Sequence, residues 1–194
     1  KTIATGEGGM VTTNDSRLAE RLRRLRSHGM IRPAGGDPWW YEMPEIGFNY
    51  RLPDILCALG ISQLGKLDAF AARRRILAAR YEAALKPLAP IVVQATRPDW
   101  SDPVLHLMVA LIDFEAVGRS RREVVEAMRE RGVGTQVHYI PVHTQPYYRE
   151  RYGERELPGA NAWYERCLSL PLYPGMADED VDRVAAALAD VLGL

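Results

Sequence analysis

Apolar residues recur at helical spacing along much of the chain. Leu18, Leu22 and Leu25 follow Asn14 and Asp15, either of which can cap a helix, and precede Gly29, which can end one. Pro53 suits the first turn of a helix through Leu56, Ala58 and Leu59 toward Leu64. A longer helix over Lys66 to Lys86 would bury Leu67, Phe70, Leu77, Tyr81 and Leu85, leave Arg73 to Arg75 largely exposed, and stop at Pro87 and Pro90. Ser120 and Glu123 have capping-box spacing for a helix through Val124, Val125 and Met128, closed by Gly132. Two more helices are expected, one around Ala162 to Leu168 and one capped near Asp178 that buries Val181, Val184, Leu188 and Leu192.

Between these stretches the periodicity changes. Ile91 to Gln94, Leu105 to Ile112 and Thr135 to Ile140 read as strands. The second is so uniformly apolar that it predicts cover on both faces. Trp100 and Pro103 lie in the loop before it. Lys1 to Asp15 reads as two short β-type segments around a turn dense in Gly6, Gly8 and Gly9. Residues 31 to 48 read as a loop rich in turn formers, which delivers Trp39-Trp40-Tyr41-Glu42-Met43 either for packing or as a cover over a ligand. The elements point to an α/β protein of one or two domains, with a boundary near residue 66.

Composition changes this picture little. The chain has 194 residues, 47% of them hydrophobic and 26% charged, as in ordinary globular proteins. Lys plus Arg and Asp plus Glu both number 25, so no overall field favours nucleic acid or an anionic membrane. Runs such as Val104 to Ile112 are too short to span a bilayer, and no signal-peptide pattern is visible. Cys57 and Cys167 sit in apolar, helix-like contexts as small core residues, and nothing requires a disulfide. The cytoplasm is the expected compartment. The chain opens on a lysine, without an initiator Met and without a lead-in, so the N-terminal part of a longer protein is expected to be absent.

Four places carry candidate chemistry. A lysine amine on a rigid, partly desolvated element can lose its proton and condense with a carbonyl, and glycines beside Lys1 would let another group approach closely. Lys1 also reads as a surface lysine before a hairpin. Asn49 and Arg51 precede a helix N-terminus, where an amide and a guanidinium could contact a phosphate, or where they simply belong to a helix-entry loop. His138-Tyr139-Ile140-Pro141-Val142-His143-Thr144-Gln145-Pro146-Tyr147-Tyr148 is too rich in His and Tyr for a featureless linker. A metal is not the reading there, because zinc needs three or four protein ligands and no Cys or acid lies close. Arg17, Arg21, Arg23, Arg24 and Arg26 read as a solvated helix face, and His28 as a residue complementing a helix C-terminus.

Four blocks then occur in a telling order. They are Lys1-x-Ile-x-Thr-Gly-Glu-Gly-Gly through Asp15; Tyr41-Glu42 through Gly47-Phe48-Asn49-Tyr50-Arg51 to Gln63-Leu64; Val137-His138-Tyr139 with Pro141 and His143; and Leu168-Ser169-Leu170-Pro171. This set resembles the DegT/DnrJ/EryC1/StrS family of pyridoxal-phosphate-dependent nucleotide-sugar aminotransferases. The resemblance implies a fold-type I α/β transferase and the C-terminal half of a longer member. It implies that residues 1–66 end the large cofactor-binding domain and residues 67–194 form the small C-terminal domain. It makes Lys1 the residue that holds pyridoxal 5'-phosphate as a Schiff base. Asn49, with Arg51 beside it, becomes the contact to the cofactor phosphate of a neighbouring subunit. His138, Tyr139 and His143 become substrate-binding residues. It further implies a homodimer with shared active sites, with no nucleic-acid or membrane partner.

Trp39 to Met43 and His138 to Tyr148 look most like a subgroup that uses glutamate to aminate C4 of a UDP-4-keto-6-deoxy-N-acetylhexosamine. Another nucleotide-linked keto sugar is the alternative within the family. The related sugar dehydratases carry His where Lys1 stands, which argues against them. A non-enzymatic α/β interaction module is the alternative of a different class. The acidic partner of the pyridinium nitrogen, the ring-stacking aromatic and the main phosphate loop are absent from this sequence, and the family places them ahead of the lysine.

Overall fold

The computed structural model describes residues 1–95, 97, 98 and 100–194; Thr96 and Asp99, in the loop expected to carry Trp100, lie outside the described residues. The chain separates into two units, one of residue 1 with Ile3–Leu67 and one of residue 2 with Asp68–Leu194.

The first unit contains two helices. In α1, Ser16–Leu25, the Asp15 carboxylate caps the start by accepting from the amides of Arg17 (2.9 Å) and Leu18 (3.2 Å). The helix turns out through His28 (φ 63°) and Gly29 (φ 73°). Gly29 and Gly47 are glycines for want of space. A Cβ on Gly47 would run into the backbone of Leu25, His28 and Gly29, and one on Gly29 into the backbone of Glu45 and Gly47. That close approach lets residues 47–50 hydrogen-bond along the end of α1. The amide of Phe48 donates to the Leu25 carbonyl at 2.7 Å, His28 to Phe48 at 2.8 Å, and Tyr50 to Arg26 at 2.9 Å. The second helix, α2, covers Asp54–Leu64 behind Pro53.

The second unit is a three-stranded sheet with helices around it. Helix α3 runs Leu67–Leu85, strand β1 Val92–Gln94, strand β2 Met108–Ile112 and helix α4 Arg121–Glu130. Helices α5, Pro146–Tyr152, and α6, Pro158–Arg166, lead to strand β3, Cys167–Leu170, and helix α7, Asp178–Leu192. The strand order is β1-β2-β3 and both pairings are antiparallel, with Val92 opposite Ile112 and Met108 opposite Leu170. Ser120 and Glu123 form the expected capping box on α4. On α7 the first-turn donor is satisfied by Asp180, which accepts from the Ala177 amide at 2.9 Å. Leu77, Tyr81 and Leu85 from α3, Val124 and Met128 from α4, and Val181, Val184 and Leu188 from α7 close over the sheet in one hydrophobic cluster. Burying each side chain of that size contributes roughly 1.5–3 kcal/mol. A charged seam ties α3 to α7: Arg73 pairs with Asp178 at 2.7 Å, and Arg80 with Asp178 and Asp182.

Several expectations are corrected. Thr135 to Ile140 is not a strand: in it only Gln136 pairs with β3 through the backbone, in an isolated bridge to Ser169. The helix expected to reach Leu168 ends at Arg166, and Cys167–Leu170 becomes a strand because β2 offers it a ladder. A short apolar run carries no periodicity that separates these outcomes. Cys167 is accordingly a buried strand residue, and burial raises its thiol pKa.

Strand β2 is buried at Met108, Ala110 and Ile112 but only half-buried at Val109 and Leu111, so it is not covered equally on both faces. Leu67 and Phe70 are half-buried rather than buried. Arg74, expected outside with its neighbours, is buried. Its guanidinium donates to the carbonyls of Leu172 (3.0 Å), His106 (3.3 Å) and Leu105 (3.4 Å), and burial lowers its pKa. Lys1 to Asp15 forms no strand, since within its unit no ladder pairs with it. No single helix among the described residues is long and apolar enough to cross a membrane.

Candidate functional site

In the first unit the glycine turn after Lys1 lies on α2. A Cβ at Gly8 would stand 2.7 Å from Thr5 Oγ1 and 3.4 Å from a Leu52 methyl, one at Gly6 3.6 Å from Leu56, and one at Gly60 3.2 Å from the Thr5 methyl. The small residues therefore bring the turn down onto the first two turns of the helix. Thr5 Oγ1 donates to the Glu7 carbonyl at 3.1 Å and tightens it. Lys1 is exposed. Its amine makes no hydrogen bond or ion pair among the described residues.

Asn49 is placed by a backbone bridge to Ser27 at the end of α1, and its side chain is exposed. Arg51, also exposed, is likewise uncommitted among the described residues. Both stand just ahead of α2, whose N-cap Pro53 provides no side-chain acceptor for the free amides of the first turn. Unused backbone donors with an amide and a guanidinium nearby make an anion-binding set. Asp54, in the first turn, opposes it.

The loop that carries Asn49 is held by charge as well. Glu45 accepts from Arg24 Nε at 2.6 Å and pairs with Arg21 at 3.3 Å, so part of the expected solvated arginine face is engaged. The hydrogen bond from Arg24 holds the Glu45 carboxyl below its usual pKa, with a smaller contribution from Arg21.

The second unit carries the other three candidates on one segment. His138 is half-buried. Its Nδ1 lies 2.8 Å from Oγ of buried Ser169 on β3, and its carbonyl accepts from the Trp163 indole at 3.3 Å. Tyr139 is 71% exposed and stands edge-on to the His138 ring, centroids 4.5 Å apart. His143 sits in a short 3-10 turn, Val142–Thr144, and its buried Nε2 has no hydrogen-bond partner among the described residues. It lines a cavity of about 420 Å³ together with Val142, Tyr148, Tyr152, Arg155 and Leu157.

The His and Tyr richness of 138–148 signalled part of this wall; Tyr152 and Arg155 lay beyond it with no distinguishing pattern. Ser169 was visible only inside the Leu168-Ser169-Leu170-Pro171 block, where nothing marked it as the anchor of His138. Among the described residues no group of three or more His, Cys, Asp or Glu is placed to hold a metal ion.

The sequence profile of the DegT/DnrJ/EryC1/StrS aminotransferase family matches residues 1–189. Spore coat polysaccharide biosynthesis protein SpsC of Bacillus subtilis is 40% identical over 200 residues, a match that takes in 99% of this chain and 51% of that protein. Helicobacter pylori PseC, an aminotransferase involved in the biosynthesis of pseudoaminic acid, superposes with a TM-score of 0.90 at 30% identity over 100% of this chain and 51% of its own. The aminotransferase TlmJ from Streptoalloteichus hindustanus gives a TM-score of 0.86 at 30% identity, over 100% of this chain and 50% of its own. The chain thus spans about half the length of the relatives it matches.

Proposed function

The chain belongs to the DegT/DnrJ/EryC1/StrS aminotransferase family, and on that premise we propose that it is the C-terminal half of a pyridoxal-phosphate-dependent sugar aminotransferase. Its fold is that of the fold-type I sugar aminotransferases it superposes on, and the family's aminotransferases use pyridoxal 5'-phosphate. In our reading the whole protein moves an amino group from glutamate to C4 of a UDP-4-keto-6-deoxy-N-acetylhexosamine. This is the reaction of UDP-4-amino-4,6-dideoxy-N-acetyl-beta-L-altrosamine transaminase. The likeness to PseC supports that substrate, and the likeness to SpsC supports a place in polysaccharide synthesis. Residues 1–66 end the large cofactor-binding domain and residues 67–194 form the small one. The enzyme works in the cytoplasm as a homodimer with shared active sites.

The observation that carries this reading is the first unit's pairing of an uncommitted lysine on a glycine turn with an unused donor set at the start of the helix beneath that turn. Those residues fit the cofactor: Lys1 would hold one cofactor covalently, and Asn49, with Arg51 and the α2 amides beside it, would hold the phosphate of the second cofactor, the one bound to the neighbouring subunit. When bound, the cofactor supplies the electron sink that makes the donor Cα acidic. The Lys1 amine removes that proton and later returns one to the carbon receiving the amino group, acting as base and then acid. To do so it must lose its charge, which requires desolvation. The cover comes from the residues that the family places ahead of this lysine. His138, fixed by Ser169 and Trp163, together with Tyr139 and His143 contacts the sugar nucleotide.

Borohydride reduction of the whole protein with pyridoxal 5'-phosphate tests this. The peptide containing Lys1 should carry the reduced cofactor in a mass spectrum; an unlabelled Lys1 ends the enzymatic reading and leaves an interaction module. Turnover of a panel of UDP- and dTDP-linked 4-keto sugars then decides the substrate.

A further inference from the structure

The cavity around His143 contains more than a sugar contact requires. Tyr148 and Tyr152 are one helical turn apart on α5, and their rings are nearly parallel (24°) with centroids 6.2 Å apart. After α5, Gly153 takes φ 75°, a conformation suited to glycine, and Arg155 lines the same cavity. The arginines elsewhere in this unit are mostly committed. Arg73, Arg75, Arg80, Arg97 and Arg131 are paired with carboxylates, and Arg74 and Arg121 donate to backbone carbonyls. Arg155 has no hydrogen bond or ion pair among the described residues. Glu154 and Glu156, its neighbours in sequence, do not line the cavity. A second cation, Arg151, lies 5.6 Å from the Tyr152 ring centroid.

Two aromatic rings, apolar flanks at Val142 and Leu157, and one free guanidinium suit a ligand with a planar ring at one end and an anion at the other. A volume of about 420 Å³ falls within the range of small-molecule sites. From this geometry we infer that the cavity takes the nucleoside diphosphate end of the substrate, the base against Tyr148 and Tyr152 and a phosphate on Arg155. This rests on the reading of the protein as a nucleotide-sugar aminotransferase, and it assigns the nucleotide to α5 and the turn after it.

Calorimetric titration of the whole protein with UDP, and separately with uridine, tests the assignment. Loss of a charge-assisted contact in Arg155→Ala should weaken UDP by about tenfold or more and uridine far less. Tyr152→Ala should weaken both ligands by about fivefold or more, whereas Tyr152→Phe, which keeps the ring, should stay within about threefold. Arg155→Lys should recover part of the UDP affinity but not all of it. Both positions are exposed, so these substitutions leave the core intact. UDP binding unchanged within about twofold in both Arg155→Ala and Tyr152→Ala would overturn the assignment.

Borohydride labelling of Lys1 in the same preparations separates the two readings. Label retained with UDP affinity lost supports the nucleotide site. UDP affinity lost while the unsubstituted protein takes no label keeps the nucleotide site and removes the aminotransferase.

Discussion

The two units of this chain use similar residues to opposite effect. The second folds around its own interior: its hydrophobic cluster joins the sheet to α3, α4 and α7, with Leu77, Tyr81, Ile112, Val124, Met128 and Leu188 fully buried. The first has no buried hydrophobic side chain among the described residues. From Ile55 to Ile61, nearly two turns, its α2 carries no polar side chain, yet Ile55, Ile61 and Leu64 are 78%, 75% and 59% exposed. A helix hydrophobic on every side is patterned for burial on every side. What shapes the first unit is backbone contact at Gly29 and Gly47, the amide–carbonyl bonds they permit, and the Arg21–Arg24–Glu45 cluster. Local geometry can thus be well specified where burial is not. The candidate cofactor lysine belongs to the unit whose apolar surface calls for a cover.

The contrast is most sharply tested at matched apolar positions. Leu188→Ala should destabilise the second unit by about 2–5 kcal/mol in urea unfolding, from lost burial and the cavity left behind. Ile61→Ser in the whole protein should cost more than about 1 kcal/mol, because α2 is covered there; a change within about 0.5 kcal/mol would mark it as a bare surface helix.

Next in size is Gly47→Ala, whose Cβ has no room beside Leu25, His28 and Gly29. It should cost roughly 1–3 kcal/mol and strip hydrogen-exchange protection from the His28 and Phe48 amides, while the amides of β2 keep theirs. The same variant should weaken cofactor retention, since Asn49 is placed through that contact. Unchanged protection at Phe48 would show that the close approach is dispensable.

The smallest effect is a pH dependence confined to the first unit. The folded pKa of Glu45 lies below its ordinary value of 4.5, chiefly through Arg24. Its contribution is therefore present above pH 4.5 and is lost as pH falls through the lower, folded value. Exchange of the Phe48 amide, corrected for its intrinsic rate, should accelerate on acidification below that point. Glu45→Gln should flatten the profile; an unaltered profile would remove Glu45 as its source.

Much of the fold was legible where a local signal has a local cause. The Asp15 cap, the Ser120–Glu123 box, the Pro53 entry into α2, and the buried Val181, Val184, Leu188 and Leu192 of α7 all follow from neighbours within a turn or two. Misreadings arose where a distant segment decides. Cys167–Leu170 is a strand because Met108–Leu111 lies beside it, and Gln136 stops at a single bridge because only Ser169 meets it. Arg74 resembles Arg73 and Arg75 in sequence, but three carbonyls from 31 to 98 residues away satisfy it in the interior. Residue types marked His138 and His143 as candidates, but not the anchoring of one by Ser169 or the cavity beside the other.

By itself, then, the sequence determined the starts of α1, α2 and α4, the apolar face of the last helix and the family, because caps, prolines, periodicity and ordered blocks act over short spans. Only the tertiary structure decided which short apolar run became β3, which arginine went inside, and that Tyr148, Tyr152 and Arg155 share a cavity with His143. Strand pairing, desolvation and cavity shape depend on groups far apart in the chain, and no local pattern of side chains encodes them.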